Sequence, residues 1–246
     1  MTKFVIFFSK VITAALVALS ITSCDHNINF GKSVTGSGNV ITEKRNLSNF
    51  DKVTVSRGLD CEVIFSDQLE VIVEADDNLV NGIKTTVENG TLEISSEYSN
   101  YNNVKSKKVI VRMPKIVSLE SSSGSTLKSG NVLNSDDITF KSSSGSSLEV
   151  EVEADKVTLE TSSGSEQKVV GKALKVFTAS SSGSHIDANG LLANEVKAQS
   201  SSGSSTTVYA ALLLDAKASS GSSITYLNSP KEVRKEESSG GSVSKD

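Results

Sequence analysis

The chain of 246 residues contains no tryptophan and only two histidines and two cysteines, and aromatic residues make up 5% of it. Its net charge is −4, and no cluster of Lys and Arg is interleaved with aromatics, which argues against a nucleic-acid-binding protein. Two isolated histidines without a cysteine cluster are too few for a zinc site, and the acidic glycine-rich nonapeptide that binds calcium in other solenoids is missing. Long runs of alternating apolar residues and the low net charge also disfavour disorder. We therefore expect a folded protein without metal or cofactor.

The first 23 residues are typical of a secretory signal peptide. Two lysines precede or interrupt the apolar stretch, and the uncharged segment 11–22 is too short to span a bilayer comfortably, which disfavours a plain anchor helix. The three residues before Cys24 resemble the lipobox of bacterial lipoproteins. We predict that residues 1–23 are removed, that Cys24 is acylated, for example with palmitate, and that residues 24–33 form a tether to the membrane.

Cys61 has no partner once Cys24 carries lipid, so no intramolecular disulfide can form. It alternates with the acidic residues Asp60 and Glu62, which predicts that its side chain faces a core as a small hydrophobe. A nucleophilic cysteine would need a positive neighbour or a base. The pattern therefore indicates a structural role.

One five-residue motif recurs along the second half of the chain. Ser-Ser-Ser-Gly-Ser begins at Ser121, Ser142, Ser180 and Ser200, and near copies begin at Thr161, Ala218 and Glu237. We number positions from the glycine of each copy, which is position 0. These repeat glycines are Gly124, Gly145, Gly164, Gly183, Gly203, Gly221 and Gly240, and they are separated by 21, 19, 19, 20, 18 and 19 residues.

Apolar residues recur at odd positions from each repeat glycine, and polar residues occupy the even ones. This period of two predicts β-strands rather than helices. The apolar residues at position −7 are Val117, Ile138, Val157, Val176, Val196, Leu214 and Val233, and those at position +9 include Leu133, Ala154, Leu192 and Leu212. We expect all of them to point inward.

About twenty residues that rise about 3.3 Å each give a path of roughly 65 Å, which closes into one solenoid turn. Turns stacked at about 4.8 Å would pair parallel strands at like positions of neighbouring coils. The fold class that this predicts is all-β, a single-stranded right-handed parallel β-helix with about 20 residues per coil. Residues 116–246 form its Ser-Gly-repeat coils, and the degenerate last copy forms a C-terminal cap.

Because the coils stack, the residues at one position of successive coils form a column. At position −4 the first members alternate in charge and should attract one another. We expect the serines at −3 and −1 to point inward and the glycine to supply a bend. The serines at −2 should form a flat outer hydroxyl row, which is the candidate hydroxyl ladder. Its members are Ser122, Ser143, Ser162, Ser181, Ser201 and Ser219, and Ser238 continues it.

Residues 34–115 lack the repeat and form an N-terminal β-rich part. Strands are predicted at 50–56, 61–65, 70–75, 85–88, 91–95 and 108–113. Asn89-Gly90 predicts a hairpin with a type I′ turn. Residues 95–106 are predicted to be an exposed loop. The adjacent aspartates Asp76–Asp77 and Asp136–Asp137 are interpreted as solvated turns, because neighbours on a strand point to opposite faces.

Several segments of the mature chain resemble the head GIN domain family of auto-transporter adhesins, common among lipoproteins of Bacteroidetes-type bacteria. They are residues 36–40, 50–53, 58–60, 71–79 and 90–94, together with the Ser-Gly-Ser coils. The resemblance implies a right-handed β-helix, no known catalytic residues and an adhesin role. Cys61 departs from the family's usual aliphatic residue, which bears on packing.

Three functions remain open. The favoured one is a non-catalytic cell-envelope lipoprotein, held in the outer membrane by its lipid and facing the surface or the periplasm. It would bind a glycan or a protein through its repetitive polar faces, with its oligomeric state open. A glycan-processing enzyme is an alternative, but coils of nearly constant length leave no insertion to wall a cleft. A hydroxyl ladder that recognises a periodic lattice is the third.

Overall fold

The computed structural model describes residues 31–246, and within them the chain is almost entirely β-structure. The predicted signal peptide and Cys24 lie outside the described residues. In the N-terminal part a short 3-10 helix, Val80–Gly82, separates two groups of strands. The strands there are β1 Lys32–Thr35, β2 Val40–Arg45, β3 Lys52–Val55, β4 Asp60–Phe65, β5 Glu70–Asp76, β6 Ile83–Glu88, β7 Thr91–Ser96, β8 Tyr98–Asn102 and β9 Lys107–Met113.

Ten strands follow in the repeat part, and they confirm the predicted β-solenoid. They are β10 Ser118–Ser121, β11 Thr126–Ser129, β12 Leu133–Ser142, β13 Ser147–Thr161, β14 Glu166–Ser180, β15 His185–Ser200, β16 Ser205–Ala218, β17 Ser223–Leu227, β18 Glu232–Glu237 and β19 Ser242–Lys245. Every pairing among them is parallel, and like positions of successive coils pair except where the register shifts between β14 and β15 and between β15 and β16.

The columns of the core follow the predicted alternation. Leu119 pairs with Phe140, and Phe140 with Leu159, and all three side chains are fully buried. The N-terminal part extends the same stack, because β3 and β4 pair in parallel with β10 and β11 of the first coil. One continuous apolar core therefore runs through both parts, and the buried Cys61 belongs to it as predicted.

Each repeat turn combines a serine and a glycine that both have positive φ. In the first copy Ser123 has φ 52° and Gly124 has φ 70°, and the Ser125 N–H donates to the Ser122 carbonyl at 3.2 Å. Positive φ at both central residues is what a type I′ turn requires. The predicted bend at the glycine is confirmed, but the expectation that serines at −1 point inward is wrong. The turn exposes Ser123 and buries the serine at +1, here Ser125, instead.

Four apolar residues that were expected in the core lie outside it. Leu192 is 48% exposed, because one extra residue shifts the register between β14 and β15 and Leu191 is buried in its place. Leu212 is exposed beside a similar shift between β15 and β16. Val117 is only half-buried, because the neighbouring Ile116 fills the core there, and Val233 is exposed on the terminal coil.

The terminal coil has the polar character predicted for a cap. All residues of β18 are exposed. The Lys235 ammonium donates to the Val243 carbonyl at 3.0 Å and lies 4.9 Å from the centre of the Tyr226 ring. The Glu237 carboxylate accepts the Val243 N–H. Charged side chains therefore fold over the open end of the core, where they oppose strand addition by another chain.

The N-terminal part confirms the six predicted strands and the hairpin, whose turn residues Asn89 and Gly90 have φ 49° and 76°. The prediction that residues 95–106 form an exposed loop is wrong. This segment contains β8, which pairs in parallel with β1, and its Tyr98 and Tyr101 pack against the core. The asparagine-rich composition concealed this strand, because its partner lies more than sixty residues earlier in the chain.

The predicted solvated turns are wrong for Asp76, Asp136 and Asp137, which lie in strands, whereas Asp77 lies half-buried in the turn that follows β5. The Asp76 side chain is fully buried, and its carboxylate accepts the backbone N–H groups of Gly38, Lys105 and Ser106 at 2.8 to 3.0 Å. Burial works to raise the pKa of the Asp76 carboxyl, but these three donors outweigh burial and hold the pKa below its usual range. Asp136 and Asp137 lie in β12 and are exposed on the strand.

Candidate binding groove

A groove of about 680 Å³ runs along the corner where the strand of each repeat coil enters its turn, and we call it the axial groove. It crosses seven coils, from Glu120 to Ser238, so at about 4.8 Å per coil it is about 29 Å long. Three neighbouring columns, at positions −4, −3 and −2, line it. The lining residues are Glu120, Lys141, Ser142, Ser143, Glu160, Thr161, Ser162, Ala179, Ser180, Ser181, Gln199, Ser200, Ser201, Lys217, Ala218, Ser219, Glu236 and Ser238.

The column at position −4 forms a wall whose charges are largely paired with one another. The Lys141 ammonium lies 2.9 Å from the Glu160 carboxylate of the next coil. After two coils without charge at this position, Lys217 pairs in the same way with Glu236 of the last coil. The hydrogen bonds to these glutamates raise the pKa of both lysines. The attraction predicted for the first members of the column is confirmed for Lys141 and Glu160, and the last two coils show the same kind of pair.

The column at position −3 forms the floor, and its hydroxyl groups are used within the protein. The Ser180 hydroxyl lies 2.8 Å from those of Ser200 and Thr206 and 3.0 Å from that of Ser204. Ser121 and Ser142 make a similar contact at 3.1 Å. The predicted inward orientation of this column is confirmed, and its hydrogen bonds satisfy the buried polar atoms.

The buried serines at position +1 fix the turns beneath the groove. The Ser165 hydroxyl oxygen lies 2.8 Å from the Ser162 carbonyl and 2.7 Å from the Ser142 carbonyl of the preceding coil, so its single proton is shared between these two acceptors, and it accepts the Ser162 N–H. The same pattern recurs at Ser125 and, in part, at Ser222. The turn and the neighbouring coil are therefore held rigidly together.

The predicted hydroxyl ladder at position −2 lies along the other wall of the groove. Ser143, Ser162, Ser181, Ser201 and Ser219 are half-buried lining residues, whereas Ser122 stands just outside the lining. Within residues 31–246 their hydroxyl oxygens have no hydrogen-bond partner, unlike the hydroxyls of the floor. The row therefore offers donors and acceptors to a molecule in the groove, and it lies in a concave surface instead of the flat face expected from the sequence.

The middle of the groove is uncharged. Positions −4 of the two central coils are Ala179 and Gln199, which stand side by side in the register of β14 and β15. Gln199 is exposed, and its side-chain amide has no partner in the described part of the chain. With Ser181 and Ser201 beside it, this segment concentrates unpaired hydrogen-bonding groups.

The described residues do not assemble a catalytic cluster. His185 lies outside the groove, and its Nδ1 is 2.7 Å from the hydroxyl of Ser205, without an acidic partner. Burial raises the pKa of the Cys61 thiol to about 12, helped by Glu62 and Asp60, so this cysteine stays protonated and unreactive. Within residues 31–246 no group of three His, Cys, Asp or Glu side chains could hold a metal ion, and no helix there is long and apolar enough to cross a membrane.

A second concave surface, of about 680 Å³, was not predicted from the sequence. Leu174 and Leu192, which are 51% and 48% exposed, lie in it beside the acidic residues Asp136, Glu153 and Asp155. The register shift between β14 and β15 contributes Leu192 to this surface, and no sequence pattern marks that shift. The axial groove itself had a visible signal, because positions −4 and −2 flank an inward residue and so share one face.

The stacked coils and the groove define a β-solenoid that presents repeated side chains along one concave surface. The chain belongs to the family described as "Putative auto-transporter adhesin, head GIN domain", which matches residues 49–230. The resemblance noted from the sequence is therefore confirmed. No curated protein matches the chain.

Solved structures of several bacterial proteins share the fold. A "putative adhesin" from Bacteroides fragilis NCTC 9343 has a TM-score of 0.80 at 21% identity, and the match covers 87% of this chain and 100% of that one. A "putative lipid binding protein" from Parabacteroides distasonis ATCC 8503 has a TM-score of 0.72 at 21% identity and the same coverage. A "putative adhesin" from Parabacteroides merdae ATCC 43184 has a TM-score of 0.69 at 15% identity and covers 87% of this chain and 99% of that one.

Proposed function

We propose that this protein is a non-catalytic adhesin-type module of the cell envelope that binds a glycan or protein partner in the axial groove. The observation that carries the proposal is the row of half-buried serine hydroxyls that have no hydrogen-bond partner among residues 31–246, set beside a wall whose charges are largely paired with one another. Such a surface makes many weak polar contacts, and their number determines the total affinity. Membership of the adhesin family supports the same role.

We further propose that lipid on Cys24 holds the module in the outer membrane with residues 24–33 as a tether. The apolar segment 11–22 and the lipobox-like residues before Cys24 support this. Replacing Cys24 by Ser should release the protein into the soluble fraction, whereas the wild type should sediment with membranes. Equal sedimentation of both would contradict the anchor.

The two alternatives have less support. A glycan-processing enzyme needs paired ionisable groups in a cleft, but the lysines of the groove are bound to glutamates in ion pairs. A rigid lattice needs a flat face, whereas the hydroxyl ladder lines a concave one. The lipid binding described for the relative from Parabacteroides distasonis fits this groove poorly, because its lining carries serines and charges in place of an apolar surface for acyl chains.

The proposal is tested by the adhesion of cells that produce the chain to a panel of immobilised polysaccharides and proteins. Gln199→Lys places a charge in the middle of the groove, and Asn194→Lys makes the same change at an exposed position of the same strand β15 outside it. We expect adhesion of the wild type and of Asn194→Lys, and loss of adhesion in Gln199→Lys. Adhesion that is equal in both variants, or absent in the wild type, would overturn the proposal.

Exposure on the cell is tested by treating intact cells with protease, with a periplasmic protein as the protected control. Degradation of the protein in intact cells would support a surface adhesin. Protection until lysis would refute the surface-adhesin form of the proposal.

A further inference from the structure

We propose that the ligand of the axial groove is an uncharged, hydroxyl-rich polysaccharide chain that lies extended along the solenoid axis, centred on Ala179 and Gln199. This inference rests on the proposed function and specifies the ligand class of the same groove. Three independent features of the lining support it: its charge, its unpaired polar groups and its period.

The charge of the lining disfavours ionic ligands. Lys141 and Lys217 each hold a carboxylate of the next coil, so no free cationic group is left for a phosphate, sulfate or uronate. Glu120 is the only wall carboxylate without an ion pair among residues 31–246, and it lies at the end of the groove. A charged polymer would therefore have to break existing ion pairs or meet like charge.

The unpaired polar groups match the chemistry of sugars. Ser181, Ser201 and Gln199 offer hydroxyl and amide groups, each of which both donates and accepts, as sugar hydroxyls do. Ala179 removes side-chain bulk from the wall directly beside Gln199. The central coils therefore combine free space with complementary hydrogen-bonding groups at both −4 and −2, whereas Lys141, Glu160, Lys217 and Glu236 at position −4 of the outer coils are already held in ion pairs.

The period of the groove matches a polymer better than a small molecule. The serine hydroxyls at position −2 recur at about 4.8 Å along the groove, and this step is close to the length of one sugar in an extended chain. Successive sugars can therefore each meet a serine hydroxyl of the hydroxyl ladder in successive coils. Since no aromatic residue lines the groove to stack on a sugar ring, affinity per sugar should be low and should rise steeply with chain length.

The test is a titration of the mature chain with neutral linear polysaccharides, namely β-glucan, xylan and mannan, and with their oligosaccharides of increasing length. Polygalacturonate is the anionic comparison. We expect at least one neutral series to bind with an affinity that increases until the chain spans about six coil steps. Binding should change less than about twofold between about 50 and 500 mM salt. Gln199→Lys should weaken it at least about tenfold, and Asn194→Lys less than about twofold.

Preferential binding of polygalacturonate with strong salt dependence would overturn the inference, as would no binding of any neutral polymer. The adhesion assay separates this failure from failure of the proposed function. If cells still adhere and lose adhesion in Gln199→Lys, the groove binds another class of partner and only the ligand assignment is wrong. If wild-type cells do not adhere, the proposed function fails as well.

Discussion

Gly171 offers the sharpest test of the stacking of the coils. A Cβ added there would lie 2.0 Å from the Val152 carbonyl oxygen and 2.9 Å from its carbon, both in the backbone of the preceding coil. The two residues are register partners in β13 and β14, so the clash can be relieved only by separating paired strands. Gly171 also has φ 120°, a conformation that side chains rarely adopt.

Gly171→Ala combines three costs. The unfavourable φ costs about 1–2 kcal/mol, the forced backbone shift about 1–3 kcal/mol, and each ladder hydrogen bond that it disrupts about 1 kcal/mol. We expect the free energy of unfolding to fall by about 4 kcal/mol, which lowers Tm by about 10 °C in a chain of this length.

Gly164→Ala is the matched control for this prediction. Gly164 also has positive φ, 68°, but nothing lies within 4 Å of the Cβ that the substitution would add. We expect a loss of about 1–2 kcal/mol from the backbone conformation alone. Thermal and urea unfolding followed by circular dichroism would measure both variants. Equal losses in the two variants would refute the close approach of the coils at Gly171.

Three further predictions concern buried polar groups. Ser180→Ala leaves a cluster of buried hydroxyls short of one partner and should lower the free energy of unfolding by about 1–3 kcal/mol in urea unfolding. Gln167→Leu should raise it by about 1 kcal/mol, because Gln167 lies in a column of aliphatic residues and its buried Oε1 has no partner among the described residues. Asp76→Asn should destabilise the protein at neutral pH and less so in acid. Since the pKa of Asp76 is lowered in the folded state, its contribution is present above the unfolded pKa of about 3.9 and is lost as pH falls through the folded value.

Each of these predictions has a clear contrary result. Ser181→Ala removes a hydroxyl without a partner and should leave stability nearly unchanged, so a loss equal to that of Ser180→Ala would contradict the division between floor and wall. A lower unfolding midpoint in Gln167→Leu would mean that its amide hydrogen bonds outweigh the orphaned oxygen. A stability difference between wild type and Asp76→Asn that stays constant down to about pH 2 would contradict the role of the carboxylate.

The solenoid was predictable because its sequence repeats with a constant period and a strict alternation. The prediction that the serines at position −1 point inward was wrong, because two successive residues with positive φ, such as Ser123 and Gly124, interrupt that alternation. The prediction that Leu192 is buried was wrong, because a single extra residue in a coil exchanges the inward and outward positions of the residues that follow it until the register recovers. Both errors arise where the backbone departs from an extended strand.

Contacts between distant segments were beyond the reach of local patterns. Asp76 looked like a turn residue, and only the fold brings Gly38 and Lys105 to its carboxylate. For the groove, the rows at −4 and −2 were predicted, but the concavity between them and the free hydroxyls along it depend on the shape of the turn. The sequence therefore predicted which residues form the site better than it predicted the form of the surface.

The most direct test of the central claim measures polysaccharide binding and product formation together, on the mature chain and its Gln199→Lys and Asn194→Lys variants. The account predicts saturable binding without cleavage, retained in Asn194→Lys and lost in Gln199→Lys. Cleavage of the polymer, or equal binding by the wild type and the Gln199→Lys variant, would contradict it.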